Sequence, residues 1–168
     1  MVIENQLYLL ITENPSYKKI MRIILLLFIL FTASISNGQN TFSIVVSISN
    51  IQVNDSKVFI GLYDNELNFK TKTNAIDSLI FIPKEKNAEV SFNKISPGIY
   101  AIAVFQDINS NGKLDTKGFN LPDEPVGISN FTDGKKLGIP TYNKAKIKIN
   151  GDTIVSIPLI FNVDKPRD

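Results

Sequence analysis

The sequence contains no histidine, no cysteine and no tryptophan among its 168 residues. The first two absences exclude catalysis by an imidazole base or a thiolate nucleophile, and they exclude zinc sites built from cysteine and histidine. Disulfides are excluded as well, so stability must come from core packing or from a bound ion. Eighteen basic residues and sixteen acidic ones leave a net charge of only +2. This argues against nucleic acid as a partner, because such binding requires many phosphates to be neutralised.

The N-terminal segment has the layout of a secretory signal peptide. An unbroken apolar run at residues 23–31 follows Lys18, Lys19 and Arg22, and small polar residues come after it. This run is shorter than the roughly 20 apolar residues that a helix needs to span a bilayer. A single membrane anchor and a buried helix are the alternatives to a signal peptide.

We expect a signal peptide helix within residues 1–38, with cleavage between Gly38 and Gln39. Met21 is a candidate for the true start of the chain. The mature protein is then expected in the periplasm, in the cell envelope or outside the cell, with no membrane span left after cleavage.

From residue 39 onward, apolar residues recur at every second position in short segments that turn-forming residues separate, which is the pattern of β-strands. Seven such segments are present, beginning at Phe42, Val58, Leu79, Ala88, Tyr100, Ala145 and Val155. No segment shows a comparable helical period. The sequence therefore predicts one all-β domain over residues 39–168, folded as an antiparallel β-sandwich of seven strands.

One long segment, residues 107–143, shows neither a strand nor a helix pattern. Loops of this length are uncommon in compact domains unless they are functional or are held together by something. We therefore expect one long ordered loop in the sandwich.

The loop begins with the pattern D-x-N-x-N-G-x-x-D. Side-chain oxygens of Asp107, Asn109 and Asn111 stand at the first, third and fifth positions, and Gly112 allows the sharp turn that such a loop requires. Calcium prefers oxygen ligands in this kind of spacing. The alternative is that Asn, Asp, Ser and Gly simply form turns here.

Further ligands are available in the same loop. The main-chain carbonyl of Lys113 and the carboxylate of Asp115 would complete most of a coordination shell. Gly118 stands where an EF-hand has a bidentate glutamate, so Glu124 or Asp123 would have to fold back as the missing ligand. With so few carboxylates we expect weak calcium binding, with a dissociation constant of about 10⁻⁴ to 10⁻³ M.

Several segments resemble one bacterial family. They are residues 61–64 with Phe69, 97–101, 107–116, Glu124, 127–130, 140–142 and Ala145. In these segments the chain is similar to the domain-of-unknown-function family numbered 2141, a set of small exported proteins. The resemblance implies an immunoglobulin-like or prealbumin-like sandwich and export, and it implies no particular activity. Gln106 stands where the family often has histidine, and Asn120 where glycine is common.

These observations together predict a non-enzymatic exported module, in which weakly bound calcium orders the long loop as a binding surface for an envelope or extracellular ligand. We expect a monomer. One alternative is a glycosidase-like hydrolase that uses carboxylates, with Asp107, Asp115, Asp123 and Glu124 as candidates. A second alternative is an adhesion or assembly subunit of the envelope that joins through an exposed strand edge.

Overall fold

A computed structural model of the chain describes residues 14–33, 40–118, 121–131 and 141–161. The chain divides into two compact units, Met1–Gln39 and Asn40–Asp168. The expected cleavage site between Gly38 and Gln39 lies outside the described residues, as do residues 119–120 and 132–140 of the long loop.

In the first unit, helix α1 (Pro15–Ala33) contains the whole apolar run. Its beginning has a recognisable cause, because the Asn14 side chain accepts the Ser16 N–H at 2.9 Å and proline occupies the first helical position. Among the helices that the structure describes, none is long and apolar enough to cross a membrane.

The second unit is predominantly β. Its described strands are β1 (Phe42–Ser49), β2 (Lys57–Tyr63), β3 (Asp77–Phe81), β4 (Ala88–Ile95), β5 (Gly98–Asp107), β6 (Thr116–Lys117), β7 (Leu121–Pro122), β8 (Val126–Ile128), β9 (Ile147–Ile149) and β10 (Thr153–Pro158). Two short helices, α2 (Glu66–Thr71) and α3 (Tyr142–Ala145), complete the described elements.

The strands form two larger sheets and one small one. The three-stranded sheet has the order β10-β1-β4, and the five-stranded sheet has the order β3-β2-β5-β8, with β9 also paired to β5. Strands β6 and β7 form a separate two-stranded hairpin within the long loop. All pairings between the described strands are antiparallel except that between β1 and β10, which is parallel.

The two larger sheets share one hydrophobic core. Alternate residues of each strand point inward, as the period-two pattern requires. The three-stranded sheet contributes Ile44, Val46, Ile48, Phe92, Val155 and Ile157, and the five-stranded sheet contributes Val58, Ile60, Leu62, Tyr100, Ile102 and Val104. Burial of these side chains, at about 1.5–3 kcal/mol for each large one, is the main favourable term in folding.

A second, smaller core covers part of the outer face of the five-stranded sheet. Phe69 of α2 is buried there and packs edge-on against Tyr63 and Tyr142, with ring centroids 5.8 and 5.9 Å apart. Helix α2 begins where the Asn65 side chain accepts the Asn68 N–H, and it ends at Lys72 in the left-handed conformation. Local capping therefore defines a helix that supplies one large apolar side chain to this core.

The strand count differs from the sequence prediction. The seven predicted strands correspond to β1–β5, β9 and β10, except that Ala145, where the sixth was expected to begin, ends helix α3 and β9 begins at Ile147. The described residues also contain β6, β7 and β8, all inside the region predicted to lack strands. Two or three residues are too few to show a period, and every residue of β8 is buried, so no alternation marks it. The expectation of a wholly antiparallel sandwich was wrong for β1 and β10, which run parallel.

Candidate metal centre

The segment from Asp107 to Asp115 lies between two strands. Asp107 is the last residue of β5, and Asp115 immediately precedes β6. The pairing of β6 with β7 then reverses the chain, and the Asp123 N–H donates to the Asp115 carbonyl at 2.9 Å. The sheet and the hairpin thus hold the two ends of the loop in place.

Asp107 is the most buried carboxylate of the loop, with an exposed fraction of 1%. Its Oδ1 accepts the Asn111 N–H at 3.1 Å, and its Oδ2 accepts the Gly112 N–H at 2.8 Å. Gly112 has φ of +77°, a conformation that a residue without Cβ adopts at no steric cost. The glycine of the motif therefore turns the backbone around the Asp107 carboxylate.

Asn109, Asn111 and Asp115 lie together. The Nδ2 atoms of both asparagines donate to Asp115 Oδ2, at 2.5 Å from Asn109 and 2.8 Å from Asn111. Their Oδ1 atoms accept backbone N–H groups two residues further on, at 3.1 Å from Asn111 and 2.8 Å from Lys113. Four of the predicted site residues are thus joined by hydrogen bonds into one compact loop, and Lys113 contributes its N–H from an exposed position.

Glu124 contacts both ends of this loop. Its Oε1 accepts the Ile108 N–H at 2.8 Å, and its Oε2 accepts the Asp115 N–H at 3.2 Å. Its exposed fraction is 3%. The chain folds back here, and both carboxylate oxygens of Glu124 are engaged with backbone donors.

The environment of Glu124 changes its acidity. Burial raises the pKa of its carboxyl above the ordinary value, and the charges of Asp107 and Asp115 raise it further. The two backbone hydrogen bonds oppose these effects by stabilising the charged form. No positively charged group is among the causes that shift this pKa.

Within the part of the chain that the structure describes, the other carboxylates of the loop likewise have no cationic partner. Among the described residues, Asp107, Asp115 and Glu124 have no ion pair with a lysine or arginine, whereas nearby Asp123 pairs with Lys117 at 2.6 Å. Nor does the described part of the chain contain three Asp or Glu side chains grouped so that they alone could hold a metal ion. A cation here would need amide and carbonyl oxygens as well, which is a donor set that suits calcium.

The buried side-chain amide of Gln106 anchors the residue that precedes the loop. Gln106 is fully buried, and its Nε2 donates to the Gln52 carbonyl at 2.6 Å and to Ser56 Oγ at 2.8 Å, while its Oε1 accepts the Gln52 N–H at 2.9 Å. These bonds fix the segment between β1 and β2 beside the start of the candidate site. The sequence pattern shows only a turn there and gives no sign of this contact.

Comparisons with known proteins bear on the identity of the chain. No curated protein and no solved structure shows a significant match to it. Residues 46–156 match the family described as "Uncharacterized protein conserved in bacteria (DUF2141)". The match includes every residue of the candidate metal centre and confirms the resemblance noted in the sequence. The chain therefore belongs to the DUF2141 family of bacterial proteins.

Proposed function

We propose that this protein is an exported, non-enzymatic β-sandwich module whose loop from Asp107 to Asp115 binds calcium weakly, and that the ion orders the loop as a binding surface. One observation carries the proposal. The charges of Asp107 and Asp115 contribute to raising the pKa of Glu124, and none of the three carboxylates has a cationic partner among the described residues.

Electrostatics supports a cation at this site. Asp107 and Glu124 are almost completely buried, and a buried carboxylate is costly unless it is paired or hydrogen-bonded. Backbone N–H groups donate hydrogen bonds to both carboxylates but carry no full positive charge. A divalent cation would provide that charge and would reduce the repulsion among the carboxylates.

The donor set fits a hard ion. The Asp107 and Asp115 carboxylates, the Asn109 and Asn111 amide oxygens and the Lys113 carbonyl would hold the calcium, which would supply positive charge and loop rigidity. The two hydrogen bonds of Glu124 support a bracing role for that residue, because they hold Ile108 and Asp115 on either side of the loop. Service as a ligand would require Glu124 to release at least one of these bonds.

The remaining parts of the proposal rest on the architecture and the composition. The shared core of the two larger sheets supports an immunoglobulin-like or prealbumin-like sandwich built on the seven principal strands. The apolar run behind a basic flank supports export. The absence of histidine and cysteine and the engagement of both Glu124 oxygens by backbone donors favour binding over catalysis.

Titration calorimetry and thermal unfolding of the purified protein, with calcium and with a chelator, test the proposal. At about 10 mM calcium and a dissociation constant of about 10⁻⁴ M, binding should stabilise the fold by about 2.7 kcal/mol. Asp107→Asn and Asp115→Asn should abolish the heat and the stabilisation. Asp123→Asn removes one charge from the same region without touching the proposed donors, and it should behave as the wild type.

Two results would count against the proposal. One is an absence of both heat and stabilisation in the wild-type protein at this calcium concentration. The other is an equal loss in Asp123→Asn and Asp107→Asn, which would indicate a general charge effect. Limited proteolysis of the loop tests the ordering step, because cleavage should slow with calcium in the wild type and remain unchanged in Asp107→Asn.

A further inference from the structure

Strand β3 forms one edge of the five-stranded sheet. It pairs with β2 on one side, and no described strand pairs with its other side. On the far side of the molecule the sheets are joined instead, because Val126 and Ile160 exchange two backbone hydrogen bonds of 2.9 and 2.8 Å. The β3 edge therefore presents backbone groups that can pair with another chain.

This edge lacks the features that normally prevent pairing. Residues 78–82 carry neither a charge nor a proline, and the register between β2 and β3 runs without a bulge. The outward side chains Ile80 and Ile82 are 57% and 55% exposed. Asp77 accepts the Ser78 N–H at 2.8 Å, so the unpaired backbone groups begin beyond Ser78.

One edge of the other large sheet, strand β4, is protected by comparison. Strand β4 exposes Glu89 and Lys94, and its register with β1 shifts between Phe42 and Ile44. Lys94 has φ of +60° at this irregularity. Charged side chains and a bulge are common means of keeping an edge strand from pairing. Strand β10 is the other edge of that sheet and leads into the bridge between Ile160 and Val126. Among the described residues, strand β3 has neither a charged outward side chain opposite the open edge nor such a bridge.

In place of the monomer expected from the sequence, we propose that β3 pairs antiparallel with β3 of a second copy of this chain, with Ile80 opposite Ile80 of the second copy. Residues directly opposite each other in a sheet lie on the same face, so this register places Ser78 opposite Ile82 of the second copy. It also keeps Leu79 and Phe81, which face the core, opposite each other. The arrangement is a two-fold contact that uses the same surface twice.

An apolar row on the outer face would continue across the contact. Phe59 lies opposite Ile80 on one side and opposite Phe105 on the other. The two phenylalanine rings stack with centroids 4.7 Å apart. Pairing at Ile80 therefore extends this row into the same row of the second copy.

Charge selects the antiparallel orientation. The edge segment begins at acidic Asp77 and is followed by exposed, basic Lys84. Antiparallel pairing at Ile80 places Asp77 of each copy opposite Pro83 of the other, one residue from Lys84, whereas parallel pairing in register would bring like charges together. Opposite charges at close range favour the first arrangement by a modest amount at a solvent-exposed site.

Sedimentation of the purified chain over concentrations from about 1 to 500 µM tests the proposal, since a small edge contact predicts a weak dimer in about the micromolar range. Ile80→Lys should raise the dissociation constant at least tenfold. Ile154→Lys makes the same change at an exposed isoleucine of β10, which is 71% exposed, and should leave the constant within twofold of the wild type.

Cross-linking tests the register independently of the lysine variants. The chain has no cysteine, so Ile80→Cys carries a single thiol, and a short bismaleimide should join two copies through it. Ile154→Cys should yield little cross-linked product. The proposal is overturned if the wild type sediments as a monomer throughout, if Ile154→Lys weakens association as much as Ile80→Lys, or if the two cysteine variants cross-link equally. If the wild type is monomeric, the candidate partner of the β3 edge becomes an extended segment of another protein.

Discussion

The side-chain amide of Gln106 pairs with the backbone of Gln52, donating through Nε2 to its carbonyl at 2.6 Å and accepting its N–H at 2.9 Å through Oε1. Both backbone groups of Gln52 are thus satisfied by one buried side chain. The contact joins two segments that are 54 positions apart in the chain. It fixes the turn between β1 and β2 beside the start of the candidate metal centre.

Replacement of this amide by an apolar side chain should be strongly destabilising. Gln106→Leu would leave the Gln52 N–H and carbonyl without their partner, and an unsatisfied buried polar group costs about 1–3 kcal/mol. We expect the free energy of unfolding to fall by about 2–4 kcal/mol, measured by urea titration. The same change at exposed Gln52, Gln52→Leu, should alter it by less than about 0.5 kcal/mol. Equal effects of the two variants would show that the side-chain bonds of Gln106 contribute little.

The close approach of β8 to β10 should make Gly127 intolerant of a side chain. A Cβ at Gly127 would lie 2.5 Å from Ile157 Cγ2 and 2.9 Å from the Pro158 carbonyl oxygen, and the latter is backbone. Gly127→Ala should therefore lower the stability by about 1–3 kcal/mol, as overpacking does. Gly151→Ala is the control, because nothing lies within 4 Å of its Cβ position. Thermal unfolding of both variants checks the prediction, and a Gly127→Ala melting temperature equal to that of Gly151→Ala would contradict it.

The raised pKa of Glu124 predicts a pH dependence of stability in calcium-free solution. The folded protein binds the Glu124 proton more tightly than the unfolded chain, where the ordinary value is 4.5. The free energy of unfolding should therefore decrease through this group as the pH rises from 4.5 through the raised pKa, and should level off above it. Glu124→Gln has no such proton to lose, so its stability relative to the wild type should improve over that interval. Urea titrations at several pH values measure the difference, and a constant difference would contradict the raised pKa.

Much of the fold could be predicted because most strands have one face on the core and the other toward solvent. Strand β1 shows this in its alternation, with Ile44, Val46 and Ile48 buried. Strand β8 is buried on both faces, so its three residues show no period. Helix α2 is only six residues long and buries one side chain, Phe69, so its sequence signals were limited to the capping residue Asn65, acidic Glu66 in the first turn and basic Lys70 in the last.

In the candidate site, too, the features that depend on local spacing could be predicted, and those that depend on distant strand pairing could not. The spacing of Asp107, Asn109, Asn111 and Asp115 placed these residues in one loop, and the structure joins them by hydrogen bonds. The contacts of Glu124 depend on the β6–β7 hairpin, which brings a residue nine positions beyond Asp115 back to its N–H. Such a return depends on strand pairing that two-residue strands do not reveal in their sequence.

The parallel pairing of β1 with β10 has a consequence for the order of folding. Ile44 lies beside Thr153, and the neighbouring bond from the Ser43 N–H to Asp152 spans 109 positions of the chain. Strand β1 is central in its sheet, so it has only β4 as a neighbour until residues 153–158 have been synthesised. Contacts of such long range slow folding, because the entropy of closing the chain is lost before the contact is gained. The three-stranded sheet therefore cannot be completed until residues 153–158 are available to pair with β1.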